Sequence, residues 1–217
     1  CCGFFLALAS SFQQFGIQYT SVGKAGFITA LYILLVPLFG LLFGKRVSGR
    51  VWLAVGIAVV GMYLLCVKEG FSIALGDLLV MVCALLFSVH ILEIDHFSTR
   101  AHGVKLSCIQ IITCGLDCSL GMLVFEKPSF GQVLPAWMPI LYAGVMSCGV
   151  AYTCQIIGQR DTDPTVASLI LSLESVVSVL AGWLLLHQPL SPRELGGCAL
   201  VFCAIILAQL PEKASRI

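Results

Sequence analysis

The sequence predicts an all-α integral membrane protein: a polytopic helical bundle, with eight spans here of an expected ten, built from two inverted five-helix repeats. Three observations carry that expectation. The 217 residues are 59% hydrophobic and only 11% charged, whereas a soluble domain carries roughly 25% charged residues. Apolar stretches near the membrane-crossing length of about 20 residues recur along the chain. The polar residues that interrupt them repeat at a nearly fixed spacing.

The spans run roughly 3–20, 25–44, 51–67, 75–94, 105–125, 136–158, 164–186 and 195–210, with short breaks of Gly, Pro or charge between them. The first ends in Gln14 and Gln18, one turn apart, with Ser10 and Ser11 behind them. The second carries Thr29 and Tyr32 in its middle and Pro37 a turn later, where the missing N–H and the ring kink a helix. The third follows Ser48-Gly49. The fourth holds His90 at depth and Glu93, Asp95 and His96 near its end; the fifth holds Gln110 one turn in. The sixth ends with Tyr152, Thr153, Gln155 and Gln159. The seventh contains Glu174 and Ser175, and the eighth follows the Pro189–Pro192 break. No connection is long enough for a soluble domain.

Composition also excludes. A net charge of +1 offers neither a basic field for nucleic acid nor an acidic arm. Eleven cysteines form no CxxC and lie mostly in apolar runs, where Cys behaves as a small hydrophobe. Cys114, Asp117 and Cys118, and separately His90 with Glu93, are weak metal patterns without a ligand spacing; no metal or cofactor is expected. The chain opens at Cys1 without a charged leader and reads as a fragment or processed form, not a signal peptide.

Lys/Arg asymmetry between short loops sets orientation. A cytoplasmic N-terminus places Lys45, Arg46, Arg50, Arg100, Lys105, Arg160, Lys213 and Arg216 inside, against Lys24, Lys68, Lys127 and Arg193 outside. That favours both termini in the cytoplasm.

The internal repeat is the most informative feature. Gln14 and Gln18 match Gln155 and Gln159 at an offset of 141, Thr20 matches Thr162, and Ser48 matches Ser191 at 143. The offset covers five helices, an odd number, so the copies lie in the membrane with opposite orientation. Residues 1–68 then form the last three helices of the first five-helix repeat and 69–217 the second, within a single membrane domain. A complete first copy requires two spans before Cys1. Inverted repeats characterise secondary transporters, whose substrate sites lie near the midplane between the repeats.

Three stretches are QQFGIQYTSVGKAGFITALYILLVPLFGLLFGKRVS, GDLLVMVCALLFSVHI and SLESVVSVLAGWLLLHQPLSPRELGGCALVF. In order and spacing they resemble EamA-type members of the drug/metabolite transporter superfamily. The resemblance implies ten helices, both termini inside, and export of small metabolites or amino acids through a central cavity. Two departures stand out: Ser175 where members often have Pro, and His187-Gln188 where many have Gly-Glu, the first-half counterpart being Gly44-Lys45.

A charge at mid-bilayer costs about 2.5 kcal/mol or more on insertion scales, so Glu174 is expected to face the bundle interior. On one continuous helical wheel Leu169, Ile170, Leu173, Val176, Val177, Leu180, Trp183 and Leu184 form a bulky, lipid-facing side. Ser168, Ser172, Glu174 and Ser175 fall on the opposite, packed side. Glu174 can brace neighbouring helices, bind a ligand amine or hydroxyl, or carry a proton. The candidate cavity residues are Gln14, Tyr32, His90, Gln110, Tyr152, Gln155, Glu174 and Ser175, with no catalytic residue and no cofactor. The partners implied are a lipid bilayer and a small solute, with self-association left open. An integral-membrane enzyme is the alternative of another class, but HExxH and GxSxG are absent; a non-transporting truncated scaffold is the third.

Overall fold

The computed structural model describes residues 1–20, 22–45, 47–66, 74–125, 131, 134–187 and 191–210. The regular elements among the described residues are all helices, in the order α1 (Cys2–Ile17), α2 (Val22–Ala30), α3 (Tyr32–Leu42), α4 (Gly49–Cys66), α5 (Leu75–Ser98) and α6 (Gly103–Phe125). Then come α7 (Trp137–Tyr142), α8 (Tyr152–Gln159), α9 (Pro164–Leu171), α10 (Leu173–Leu186) and α11 (Pro192–Gln209). Seven helical stretches are long and apolar enough to cross a membrane. The eighth expected span, α1, is shorter, at 16 residues. Its helix gives way to turn at Gln18, where the polar run Gln18-Tyr19-Thr20 begins. The Lys68, Lys127, Arg46, Lys213 and Arg216 positions of the loop-charge count, and Gln188, lie outside the described residues.

Three expected spans are not continuous. The second divides at Leu31 into α2 and α3, and the seventh divides at Ser172 into α9 and α10. At the first break the Leu31 N–H bonds to the Ile28 carbonyl at 3.1 Å, a tightened turn. At the second, Ser175 N–H bonds to Ser172 O at 3.2 Å, and the Ser172 hydroxyl donates to Leu169 O at 2.6 Å. That hydroxyl competes with the backbone ladder and loosens the helix. The sixth span runs α7, then a π-helical segment Ala143–Ala151, then α8. A π-segment widens a helix and is often found at functional sites.

The ends are closed by local chemistry. Gly44 adopts φ +77°, and the Lys45 and Gly44 N–H groups return to the Gly40 and Leu41 carbonyls at 2.9 and 3.0 Å. This Schellman motif needs a left-handed residue, which glycine adopts freely. Asp163 caps α9 by accepting from the Thr165 N–H at 2.8 Å, with Pro164 at the first helical position. Ser191 and Glu194 form a reciprocal capping box on α11.

Two antiparallel helix pairs organise the bundle. In α4 against α11, a Cβ on Gly197 would lie 2.7 Å from the Gly61 carbonyl, so the backbones touch where only hydrogen fits. Ala54, Ala58, Val201 and Ala204, all fully buried, extend the seam. Such small-residue faces let membrane helices approach closely. In α1 against α5, Gly76 makes the same accommodation, 2.6 Å from Gly16 O. By contrast α6 and residues 134–159 leave most of their surface uncovered.

Two ion pairs tie the second span to α5, one near each end of it. Lys24 at the start of α2 meets Asp77 at 2.8 Å, with the Thr20 hydroxyl also donating to that carboxylate. Beyond the end of α3, Lys45 pairs with Asp95.

A polar triangle at the helix breaks

Both helix breaks deliver a functional group. Tyr32 is the first residue of α3 and Glu174 the second of α10, so each stands in the turn just after its break. Tyr32 is buried and Tyr152, on α8, is half-buried. The Glu174 carboxylate acts electrostatically on both tyrosine hydroxyls, and Tyr152 acts on that of Tyr32. Three groups from three helices thus form one polar triangle. His90 of α5 adjoins it, its ring edge-on to Tyr152 at 6.4 Å and to Phe87 at 6.5 Å.

Glu174 is exposed, between buried Ser172 and Val176. That corrects the expected wheel. Leu169 and Val176, expected to face lipid, are fully buried, while Glu174 shares an exposed face with Ile170 and Val177. The reason is the break at Ser172: one continuous 100° wheel does not hold across it, so the two half-helices present different faces. Leu180, Trp183 and Leu184 are exposed, as the wheel expected.

The other candidates divide. Gln14 is exposed; one residue earlier, Gln13 turns inward and donates to the Thr29 hydroxyl at 3.5 Å. Gln155 and Ser175 are half-buried, and no hydrogen bond among the described residues links either to the triangle. Gln110 is buried with neither amide atom partnered, and so is Gln159, which ranked behind Gln155 in the sequence. Both His90 nitrogens are likewise unpartnered at full burial. A buried polar group without a partner costs about 1–3 kcal/mol, so each of these marks a place where a ligand, water or proton would be accommodated.

Ser107, which the sequence did not single out, and two residues that it did, Thr153 and Asp117, complete the interior. Ser107 and Thr153 share a hydrogen bond of 2.6 Å that joins α6 to α8. Asp117 keeps one carboxylate oxygen buried and unpartnered. Among the described residues no three His, Cys, Asp or Glu converge on a metal position.

A bundle of membrane-length helices, broken in mid-span around a polar interior, defines a polytopic membrane protein residing in a lipid bilayer. Residues 74–210 match the EamA-like transporter family. A protein of Archaeoglobus fulgidus described as an uncharacterized transporter is 33% identical over 218 residues, covering 96% of this chain and 68% of the relative. The uncharacterized transporter YcxC of Bacillus subtilis is 23% identical over 223 residues, covering 92% and 68%. A solved structure, described as "Crystal structure of protein", superposes with a TM-score of 0.80 at 22% identity, covering 94% of this chain and 72% of that one; at that identity it speaks for the fold alone. The chain belongs to the EamA-like transporter family, and it is a membrane transporter.

Proposed function

We propose that the protein is a secondary transporter that exports a small polar metabolite or amino acid by alternating access between two inverted five-helix repeats. The substrate would bind at the Tyr32–Tyr152–Glu174 triangle in the cell membrane, with both chain termini cytoplasmic. One observation carries the reading. The breaks at Leu31 and Ser172 lie 141 positions apart, and the two sites with positive φ among the described residues, Gly44 and His187, lie 143 apart. These are the offsets at which the polar residues repeat in sequence. Discontinuous helices at equivalent positions of two repeats are how such transporters build a midplane site, because unwound backbone is tolerated only where it lines a cavity.

The α4–α11 seam is consistent with the same duplication. An offset of 143 maps Gly61 onto Ala204 and Gly197 back onto Ala54, so the close glycine pair has an alanine counterpart further along the same seam, and both alanines are fully buried.

The test is topological first and functional second. Reporters fused after Gly49 and after Ser191 of the full-length protein should lie on opposite sides of the membrane. Same-side reporters would remove the inverted repeat. Vesicles loaded with a panel of amino acids and small polar metabolites should then lose at least one of them through the protein, and Glu174→Ala should suppress that flux.

A further inference from the structure

The broken span α2–α3 is held to α5 at both ends, by contacts of unlike strength. At the first end Asp77 accepts from Lys24 at 2.8 Å, from the Thr20 hydroxyl, and from the Ala74 N–H at 2.8 Å. Beside it, a Cβ on Gly76 would lie 2.7 Å from the Tyr19 carbonyl carbon and 2.9 Å from the Thr20 nitrogen. Parting this end would open a buried ion pair and a backbone contact together. At the other end, the Lys45–Asp95 ion pair joins side chains that both reach solvent. Lys45 follows Gly44, whose left-handed φ of +77° closes α3. An exposed pair shifts an equilibrium by about fivefold at most, and salt screens it.

Between the two ends lies a hinge. Helix α2 stops at Ala30 and α3 starts at Tyr32, so the break at Leu31 is where the span can bend. From there α3 packs along α5, and Ile33 and Val36 of α3 share one buried cluster with Ile91 of α5, which closes the seam. Tyr32 rides on α3, so a swing of that helix carries the tyrosine with it. We infer that α2 is the fixed arm and α3 the moving arm of a gate. The Lys24–Asp77 end stays closed through the transport cycle, and the Lys45–Asp95 pair is a latch whose release parts α3 from α5 at the cytoplasmic face. This deepens the transport reading above and rests on it, since that reading supplies the cycle and the orientation.

Two measurements on the full-length protein test the latch, the first without any solute. In lipid nanodiscs, backbone amides of residues 35–43 and 91–98 should exchange hydrogen at least about tenfold faster than those of 24–30 and 76–82. Asp95→Asn should speed the first pair of segments by up to about fivefold and leave the second pair unchanged. The second measurement locks the latch. Lys45→His combined with Asp95→His places two imidazoles where the ion pair stood, and Ni²⁺ can bridge them. In proteoliposomes loaded with radiolabelled amino acids and small polyols, efflux through this variant should fall at least about tenfold with Ni²⁺ and recover with EDTA. Asp95→His alone should not respond. Lys24→His combined with Asp77→His should keep its efflux in Ni²⁺; if that variant fails to fold, the exchange comparison decides the fixed arm in its place. Equal exchange at the two ends, or efflux indifferent to Ni²⁺ in the Lys45 and Asp95 variant, would overturn the latch and leave the transport reading standing. A parent protein that moves none of these solutes, with exchange as expected, would overturn the transport reading and leave the moving arm.

Discussion

The two broken helices are built alike and held differently. Each divides in mid-span, at Leu31 and at Ser172, and each ends at a residue with positive φ, Gly44 and His187. Yet α2–α3 is fastened to α5 near both ends, through Lys24–Asp77 and Lys45–Asp95. Across α9–α10 the only charged side chain is Glu174, and no ion pair among the described residues engages it. The difference teaches what a charge in a membrane bundle is for. Where a carboxylate meets a lysine at a helix end, it locates one helix against another. Where it stands alone in mid-span, no contact among the described residues gives it a structural partner.

The sharpest way to break that contrast is Asp77→Ala. The pair is nearly buried, with side-chain exposures of 14% for Lys24 and 5% for Asp77. Removing one partner of a buried pair costs about 3 kcal/mol or more, because the remaining charge loses its compensation. The variant should show a markedly lower midpoint of thermal unfolding in detergent, while Asp77→Glu recovers part of the loss. An unchanged midpoint would mean that this contact does not fasten α2 to α5.

How much of this was legible in the sequence follows from which forces are local. Helix number and position came from apolar length, a property of each segment alone. So did the caps at Asp163 and Ser191, which are spelled out within four residues. The break at Ser172 was not legible: a serine inside an apolar run is compatible with an unbroken helix, and only packing decides whether its hydroxyl takes the backbone carbonyl. Once that break was missed, the single wheel misplaced Leu169 and Val176, which are fully buried. Both ion pairs escaped notice because their partners are 53 and 50 positions apart. The repeat offset is insensitive to such errors, because it depends on spacing rather than on which face a residue takes.

A second prediction concerns the ends of the two broken helices. At φ +77° Gly44 is unstrained, whereas His187 at φ +52° holds a side chain in the left-handed region. That conformation costs a residue with a Cβ roughly 1 kcal/mol. His187→Gly should therefore raise stability by about that amount, and Gly44→Ala should lower it similarly. Opposite shifts of the two unfolding midpoints would show that the ends are equivalent in geometry and unequal only in residue. Shifts of the same sign would separate them.

The other ion pair should matter less. Lys45 is 38% exposed and Asp95 22%, so solvent screens their attraction, and Asp95→Asn should cost under about 1 kcal/mol. Raising the salt concentration should shrink the difference from the parent protein. The same salt series should scarcely change the Asp77→Ala penalty, because a buried pair is screened far less. If both penalties fell together, the two fastenings would be one class of contact, not a buried anchor and a surface clasp.

The smallest stability effect belongs to Glu174→Gln. The residue is exposed, no described ion pair engages it, and the isosteric amide keeps its shape in the first turn of α10. Its unfolding midpoint should stay within the equivalent of about 0.5 kcal/mol of the parent, the range for exposed substitutions away from structural features. A large drop would make Glu174 a brace like Asp77, and the contrast between the two broken helices would collapse. A negligible change, measured in the same preparation whose solute flux falls, separates the roles cleanly. The carboxylate would then be dispensable to the fold and needed by the solute, which is the signature of a binding group in a membrane interior that otherwise excludes unpaired charge.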